Sequence, residues 1–320
     1  MTGILIYGAG AIGSFLGYLL SEAPGEGASE EKSVESVALL GRAGHMNAIK
    51  ERGMHVDLGE KREVLHFRHC FSSLDELKRS DFYPQVVVVC VKTHSLPALA
   101  RELRESGLLE ERLKEARFIL LMNGMGNREA LLNCGLDSPR LFEAITSFGV
   151  VLAGEGRIEL KGRGKTVIQD GMGREEMDFL TERLSEKGFE IEFSRDFSRQ
   201  QYQKLLVNAA INPITALTRR QNSIILSPVL KSTVEKVVAE AVAVAAADGV
   251  AIQEMEAFNL VLSVAERTAA NTSSMLQDVL RGRRTEIEAI NGYIVRQGKK
   301  HGIAVPANEA LYGMVKAAVD

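Results

Sequence analysis

Lys204, Asn208 and Asn212 stand four residues apart in KLLVNAAINPITAL, residues 204–217, a segment that is otherwise almost wholly apolar. At about 100° per residue this spacing predicts one helical stripe carrying a lysine and two amides, with Leu205, Leu206, Val207, Ala209, Ala210 and Ile211 on the remaining faces. A helix apolar on its other faces is expected to be buried. Burying an ammonium and two carboxamides without partners costs on the order of several kcal/mol, so the stripe is expected to face a polar ligand in a cleft. The structural alternative is that the amides cap a neighbouring chain while Lys204 snorkels to solvent.

A second cluster lies at the start of the chain. Gly8, Gly10 and Gly13, with Ala9, Ala11 and Ile12 between them, form G-x-G-x-x-G directly after a short apolar run and at the opening of a helical pattern. In that context the first glycine permits a tight turn, the second lets a pyrophosphate approach the backbone, and the third allows close helix packing beside a helix N-terminus that favours an anion. This predicts a dinucleotide site. At the end of the next strand, VALLGR, an acid would bind a ribose 2′-hydroxyl and repel a 2′-phosphate; the chain offers Arg42 there instead, which favours NADP(H). Lys92 in VVVVCVKTHS and Asn123 in FILLMNGMGN follow two further apolar strands, where an open sheet binds its ligand.

The elements that would position these residues fall into two textures. Up to about residue 195 short strands alternate with helices: strands at 4–7, 37–42, 55–58, 85–92 and 117–124, with the continuous apolar ones implying a parallel sheet covered on both faces. Residues 141–193 add glycine-rich strand-like pieces and one helix, expected as an antiparallel finish to the sheet. Beyond Ser198 the pattern turns to long amphipathic helices at 199–217, 228–248, 253–269, 273–300 and 307–318. The acidic stretch SEAPGEGASEEKSVES, residues 21–36, has the composition of a mobile surface loop.

Composition sets the limits. The chain has 320 residues, 45% hydrophobic and 25% charged, enough for two ordinary domains. A formal charge of -3 gives no general attraction to nucleic acid or an anionic membrane, and the basic runs at 281–284 and 298–300 are short. Cys70, Cys90 and Cys134 are too scattered for a disulfide framework or a zinc site, and no secretory signal is recognisable, so a soluble cytoplasmic protein is expected. No apolar run reaches the ~20 residues needed to cross a bilayer. The histidines, His45, His55, His66, His69, His94 and His301, show no ligand spacing, so no metal is expected, and His94 is assigned to structure despite its place near Lys92. No serine or cysteine has the glycine-elbow context of a nucleophile.

Taken in order, GAGAIG, VKTHS, LMNGMGN, KLLVNAAINPITAL, NTSSMLQD (271–278), TEIEAINGYIV (285–295) and HGIAVPANEALYGMVK resemble the ketopantoate reductase (2-dehydropantoate 2-reductase) family over nearly the whole chain. The resemblance implies an α/β Rossmann-type N-terminal domain at 1–195 with a parallel sheet, binding NADPH or NADP+, followed by an all-α substrate-binding domain at 196–320, with the active site between them. It implies reduction of a branched 2-oxo acid, ketopantoate, to the 2-hydroxy acid in pantothenate and coenzyme A biosynthesis, and it allows a homodimer. Carried over by position, the proton donor falls on Lys204, and substrate-binding amides fall on Asn208, Asn212, Asn222 and Asn271. Ser274 becomes a partner for the substrate carboxylate, and Glu286 the second ionisable group. Lys92 and Asn123 match positions near the nicotinamide and its ribose, Asn123 also near the substrate, and Val150 a backbone contact to the cofactor.

That chemistry requires a hydride at C2, which nicotinamide supplies, and a proton on the carbonyl oxygen, which a Lys204 ammonium with a pKa drawn toward neutrality would deliver. Glu286 has two readings, orienting Lys204 or accepting from a substrate or ribose hydroxyl. The competing assignments are a reductase of another branched 2-oxo acid, a 3-hydroxyacid or glycerol phosphate type dehydrogenase, and a cofactor sensor without turnover. The last is disfavoured by the presence together of Lys204, Glu286 and Ser274.

Overall fold

The computed structural model describes residues 2–22 and 32–319. The chain divides into two compact units, Met1–Met122 with Asn127–Arg195, and Asn123–Gly126 with Asp196–Asp320.

The first unit contains β1 (Ile4–Tyr7), α1 (Ala11–Leu20), β2 (Lys32–Leu40), α2 (Ala43–Arg52), β3 (Met54–Asp57), β4 (Arg62–Phe71), α3 (Leu74–Arg79), β5 (Val86–Val89), α4 (Leu96–Ser106) and β6 (Arg117–Leu121). It continues with α5 (Arg128–Leu132), β7 (Leu141–Thr146), β8 (Gly149–Gly154), β9 (Arg157–Gly162), β10 (Lys165–Gln169), α6 (Arg174–Glu186) and β11 (Glu190–Ser194). Among the described residues these strands form one sheet in the order β11-β10-β7-β6-β5-β1-β2-β4-β3-β9-β8. Pairing is mostly parallel, and β1 lies between β2 and β5, so the strand order reverses at the strand that carries the glycine motif. Ligands of open sheets bind outside the carboxyl ends of the strands at such a reversal.

Alternation along the central strands explains why they are apolar on both faces. Ile4, Ile6, Val37, Leu39, Val86 and Val88 join one core with Phe15 and Leu19 of α1 and Leu180 and Leu184 of α6. Leu5, Tyr7, Ala38, Leu40, Val87 and Val89 join the opposite core with Leu74 and Leu77 of α3 and Leu96, Leu99 and Leu103 of α4. A one-residue slip in any of these strands would exchange the two sets.

Two expectations about this unit need correction, and a third falls mostly on residues that are not described. The second strand starts at Lys32 rather than at 37, because residues 32–34 pair with Leu65–Phe67 before a bulge ahead of Ala38; β4 itself, with charges and histidines along its length, gave no clear strand pattern. The remainder of the acidic stretch, residues 23–31, lies outside the described residues. The strands of residues 141–193 are not a single antiparallel finish. β7 pairs parallel with β6 and antiparallel with β10, and β10 is parallel to β11, while β8 and β9 form a hairpin that extends the other edge through β3.

The second unit is helical: α7 (Phe197–Thr218), α8 (Lys231–Ala247), α9 (Glu254–Arg267), α10 (Ser274–Leu280), α11 (Asn291–His301) and α12 (Pro306–Val319) around one apolar core. The single helix expected over 273–300 is two. Gly282 takes a left-handed φ of 60° and the Arg283 N–H returns to the Asp278 carbonyl at 2.8 Å, which ends α10; a 3-10 turn at Ile287–Ala289 precedes α11. α7 passes through Pro213, whose ring nitrogen has no N–H to give to the Ala209 carbonyl one turn back. The buried Asn291 side chain donates to that carbonyl instead, at 3.0 Å, so the helix carries the lysine-amide stripe without leaving the acceptor unmet. No described helix is long and apolar enough to cross a membrane.

Candidate active site

In the first unit the glycine motif has the geometry that its spacing predicts. Gly8 adopts φ +106°, and a Cβ there would lie 2.7 Å from Val91 Cγ1; at Gly13 a Cβ would lie 2.3 Å from the Gly8 carbonyl oxygen. At Gly10 the nearest heavy atom to such a Cβ is 4.0 Å away, so this backbone stays open to a ligand where it caps α1. The residues present therefore fit a dinucleotide pyrophosphate. Gly8, Ala9 and Gly10 line a cleft of about 240 Å³ together with Arg42, Lys92, Ser72, Ser73, Ser95, Tyr7 and Glu102. Ala11, Ile12 and Gly13 form the first turn of α1 behind it. Arg42 is the exposed N-cap residue of α2.

Sequence reading missed two parts of this cleft and one buried support behind α2. Tyr7, at the end of β1, donates to Glu102 Oε2 of α4 at 2.9 Å, a pairing far along the chain that no local pattern reveals. Ser73 caps α3 by accepting from the Glu76 N–H, and Ser-x-x-Glu at 73–76 was a legible signal for that helix start. His45 is buried, accepts from the Gly156 N–H through Nδ1 at 2.9 Å, and lies 3.0 Å from Ser14 Oγ through Nε2. The backbone donor assigns the proton to Nε2, so the neutral ring ties α2 both to α1 and to the β8–β9 turn. Burial pulls the His45 pKa below its ordinary value, against nearby Glu155 and with Arg42.

In the second unit the loop at 123–126 docks on the segment that begins at Glu286. Gly124 has φ +74° and a Cβ there would fall 2.3 Å from the Ala289 carbonyl oxygen, while the Met125 N–H donates to the same carbonyl at 2.9 Å. That close approach sets Asn123 between two ionisable groups: Lys204 Nζ donates to Asn123 Oδ1 at 3.0 Å, and Asn123 Nδ2 donates to Glu286 Oε2 at 3.0 Å. The two bonds assign the amide orientation. Glu286 is buried and Lys204 half-buried. Desolvation pulls the Lys204 pKa down to about 8, with the negative charge of Glu286 opposing the shift. A lysine so placed is a charged acid at neutral pH yet close enough to its pKa to release a proton.

The other residues of the stripe lie further along α7. Asn208 is half-buried and Asn212 buried; a turn beyond them Thr215 Oγ1 lies 2.6 Å from Ser273 Oγ, which caps α10 by accepting from the Leu276 N–H. Asn222 is buried, its Nδ2 donates to Thr268 Oγ1 at 2.9 Å, its backbone N–H donates to the Asn271 carbonyl at 3.0 Å, and its Oδ1 has no partner among the described residues. An orphaned buried acceptor favours a ligand that can donate to it. Asn271 and Ser274 are exposed, so within the 271–274 stretch it is Ser273, not Ser274, that is committed to holding the helix start. Val150 is half-buried at the start of β8 and does not line the cleft. Among the described residues no cluster of histidine, cysteine, aspartate and glutamate could hold a metal ion.

Comparison with known proteins bears on the family of the whole chain. The family model for ketopantoate reductase PanE/ApbA matches residues 4–173, and the model for its C-terminal part matches residues 196–319. The 2-dehydropantoate 2-reductases of Pyrococcus horikoshii and Archaeoglobus fulgidus are 31% and 32% identical to it, each alignment covering 98% of this chain and 96% of the relative. Among solved structures, a PanE/ApbA family ketopantoate reductase from Ralstonia eutropha is 27% identical with a TM-score of 0.84, covering 100% of this chain and 99% of that one. A D-mandelate dehydrogenase with NADH and anilino(oxo)acetate is 25% identical, also with a TM-score of 0.84, covering 100% and 98%. With both of its parts matched, the chain belongs to the ketopantoate reductase PanE/ApbA family.

Proposed function

We propose that this chain reduces 2-dehydropantoate to pantoate with NADPH, with Lys204 as the general acid. The observation that carries the reading is the Lys204–Asn123–Glu286 arrangement, in which a lysine with a pKa near 8 is held by an amide that a buried carboxylate orients. The names of the relatives supply the substrate, and Arg42 at the end of β2 supplies the preference for a 2′-phosphate.

Nicotinamide, when bound, contributes the hydride that C2 accepts. The residues of the chain do the rest. Lys204 donates a hydrogen bond to the ketone oxygen, which draws electron density from C2, and passes its proton to that oxygen as negative charge develops there. Asn123 fixes the direction of the ammonium, and Glu286 orients Asn123 while keeping Lys204 protonated. Asn208, Asn212, Asn222, Asn271 and Ser274 offer neutral hydrogen bonds for the hydroxyl and carboxylate of the substrate, and Gly8–Gly10 with Lys92 and Arg42 hold the dinucleotide. The role in pantothenate synthesis and a cytoplasmic location follow from the same reading.

A second reading has one specific support. The D-mandelate dehydrogenase carrying NADH matches the chain as well by TM-score as the ketopantoate reductase does, which favours a reductase of another 2-oxo acid. Steady-state oxidation of NADPH and NADH with 2-dehydropantoate and with phenylglyoxylate separates the two. The first reading expects the highest kcat/KM for 2-dehydropantoate with NADPH, and a higher value for phenylglyoxylate would replace it with the second.

A further inference from the structure

The end of β2 carries no acid of its own, yet the structure brings one to it from elsewhere in the chain. Glu155 sits in the turn between β8 and β9, and its Oε1 lies 2.1 Å from where a Cβ on Gly44 would be. Gly44 is in the first turn of α2, two residues after Arg42, and the exposed Glu155 carboxylate occupies the space over this helix end that a side chain at Gly44 would take. The turn is held in place on both sides: the Gly156 N–H donates to the buried His45 at 2.9 Å, and the Gly156 carbonyl accepts from the His55 N–H at 2.8 Å. A helix N-terminus attracts a carboxylate for the same reason that it attracts a phosphate.

We propose that Glu155 is a specificity-determining residue that opposes Arg42 in the choice of cofactor, disfavouring a 2′-phosphate and favouring a free ribose 2′-hydroxyl. The proposal rests on the reading above that Arg42 marks the adenosine ribose end of a dinucleotide site. Like charges a few ångströms apart repel, and a carboxylate is a good acceptor for a ribose hydroxyl, so the net preference is the difference between one attractive and one repulsive group at the same helix end. Arg42 alone would give strong selection for NADP(H). With Glu155 present the selection is weakened, and NAD(H) becomes usable.

The test uses the full chain and two fragments that lack nicotinamide, adenosine 2′,5′-bisphosphate and adenosine 5′-monophosphate, with dissociation constants measured by calorimetry. Glu155→Gln should raise the preference for the bisphosphate by roughly 5- to 30-fold, the effect of removing one partly screened charge nearby, and the gain should shrink as salt is added. Gly44→Ala, which pushes the carboxylate away without deleting it, should move the preference in the same direction, and Arg42→Ala should move it in the opposite one. A Glu155→Gln protein with an unchanged melting temperature and a preference within twofold of the unmutated chain would overturn the proposal while leaving the cofactor reading intact. If neither fragment binds the unmutated protein, the cofactor reading fails and the proposal fails with it.

Discussion

The Lys204 ammonium donates to Asn123 Oδ1 at 3.0 Å, and the other end of the same amide donates to Glu286. An amide is suited to this place because it presents an acceptor to a cation and a donor to an anion at once, which a carboxylate or a second ammonium could not do. Asn123→Asp replaces the donor facing Glu286 with an acceptor and adds negative charge beside Lys204. The lysine pKa should then rise above about 8 and the alkaline limb of reduction should move to higher pH, while kcat at neutral pH falls by about 10- to 100-fold as the orientation is lost. A pH profile of kcat with an unmoved limb would show that another group titrates there.

Lys204 itself is expected to separate activity from stability. Lys204→Met should lose roughly 10² to 10⁴ in kcat, the usual worth of a positioned acid, and should lose the alkaline limb, with NADPH affinity kept. Its folded pKa of about 8 lies below the ordinary 10.5, so the unfolded chain binds the proton more tightly. The charged lysine therefore costs stability in full below pH 8, and the cost fades as pH rises from about 8 to 10.5. The methionine variant should accordingly be more stable at pH 7 by about 1 to 3 kcal/mol, with the difference narrowing above pH 8 in denaturant titrations. Equal stability at pH 7 would mean that the lysine is well solvated in the folded chain.

How far the sequence could be read depended on whether a signal was local. The glycine motif and the apolar strands were legible because turn geometry and two-sided burial act on neighbouring residues, and Gly8, Gly10 and Gly13 occupy the conformations that their spacing implied. The stripe on α7 was legible for the same reason. Asn123 was placed as a strand-end residue near the cofactor and the substrate, but not against Lys204; its position between Lys204 and Glu286 depends on two left-handed glycines, Gly124 and Gly126, and on an acceptor at Ala289, far along the chain. Residues 273–300 read as one helix because the charged and polar residues around Gly282 fit a helical surface; the return of the Arg283 N–H to Asp278 overrides that pattern. Glu155 could not be found from its own neighbours, since what matters is the space left by Gly44.

Asp248 offers a stability test away from the chemistry. At the end of α8 it accepts from the Tyr202 and Tyr293 hydroxyls, the latter at 3.1 Å, and lies 2.7 Å from His301 Nε2, so one carboxylate joins α7, α8 and α11. Burial pushes its pKa up, but the hydrogen bonds from Tyr202, His301 and Tyr293 outweigh this and hold it below the ordinary carboxylate value. A depressed carboxylate contributes stability that is present above its unfolded pKa and is lost as pH falls through its folded one. Asp248→Asn should cost about 1 to 3 kcal/mol at pH 7 and make the variant less sensitive to acid between neutral pH and pH 3. Parallel urea curves for the two proteins across that range, with a constant gap between them, would remove Asp248 from the account of acid unfolding.

Gly124→Ala tests whether the loop at 123–126 delivers Asn123 to the chemistry. Gly124 has a φ of +74°, which an alanine adopts only with strain, and the added methyl would lie 2.3 Å from the Ala289 carbonyl oxygen, a backbone atom that cannot simply rotate away. The loop must lift, and with it the Met125 N–H that bonds to Ala289 and the Asn123 amide that holds Lys204. The glycine motif and Arg42 belong to the other compact unit, so the effect should fall on catalysis and not on the dinucleotide. The expected result is a fall in kcat of about 10- to 10³-fold, NADPH affinity within about threefold of the unmutated chain, and an alkaline limb that shifts because Lys204 has lost its partner. A variant that keeps its kcat and its pH profile would show that Asn123 holds Lys204 without help from the loop, or that Lys204 does not need it.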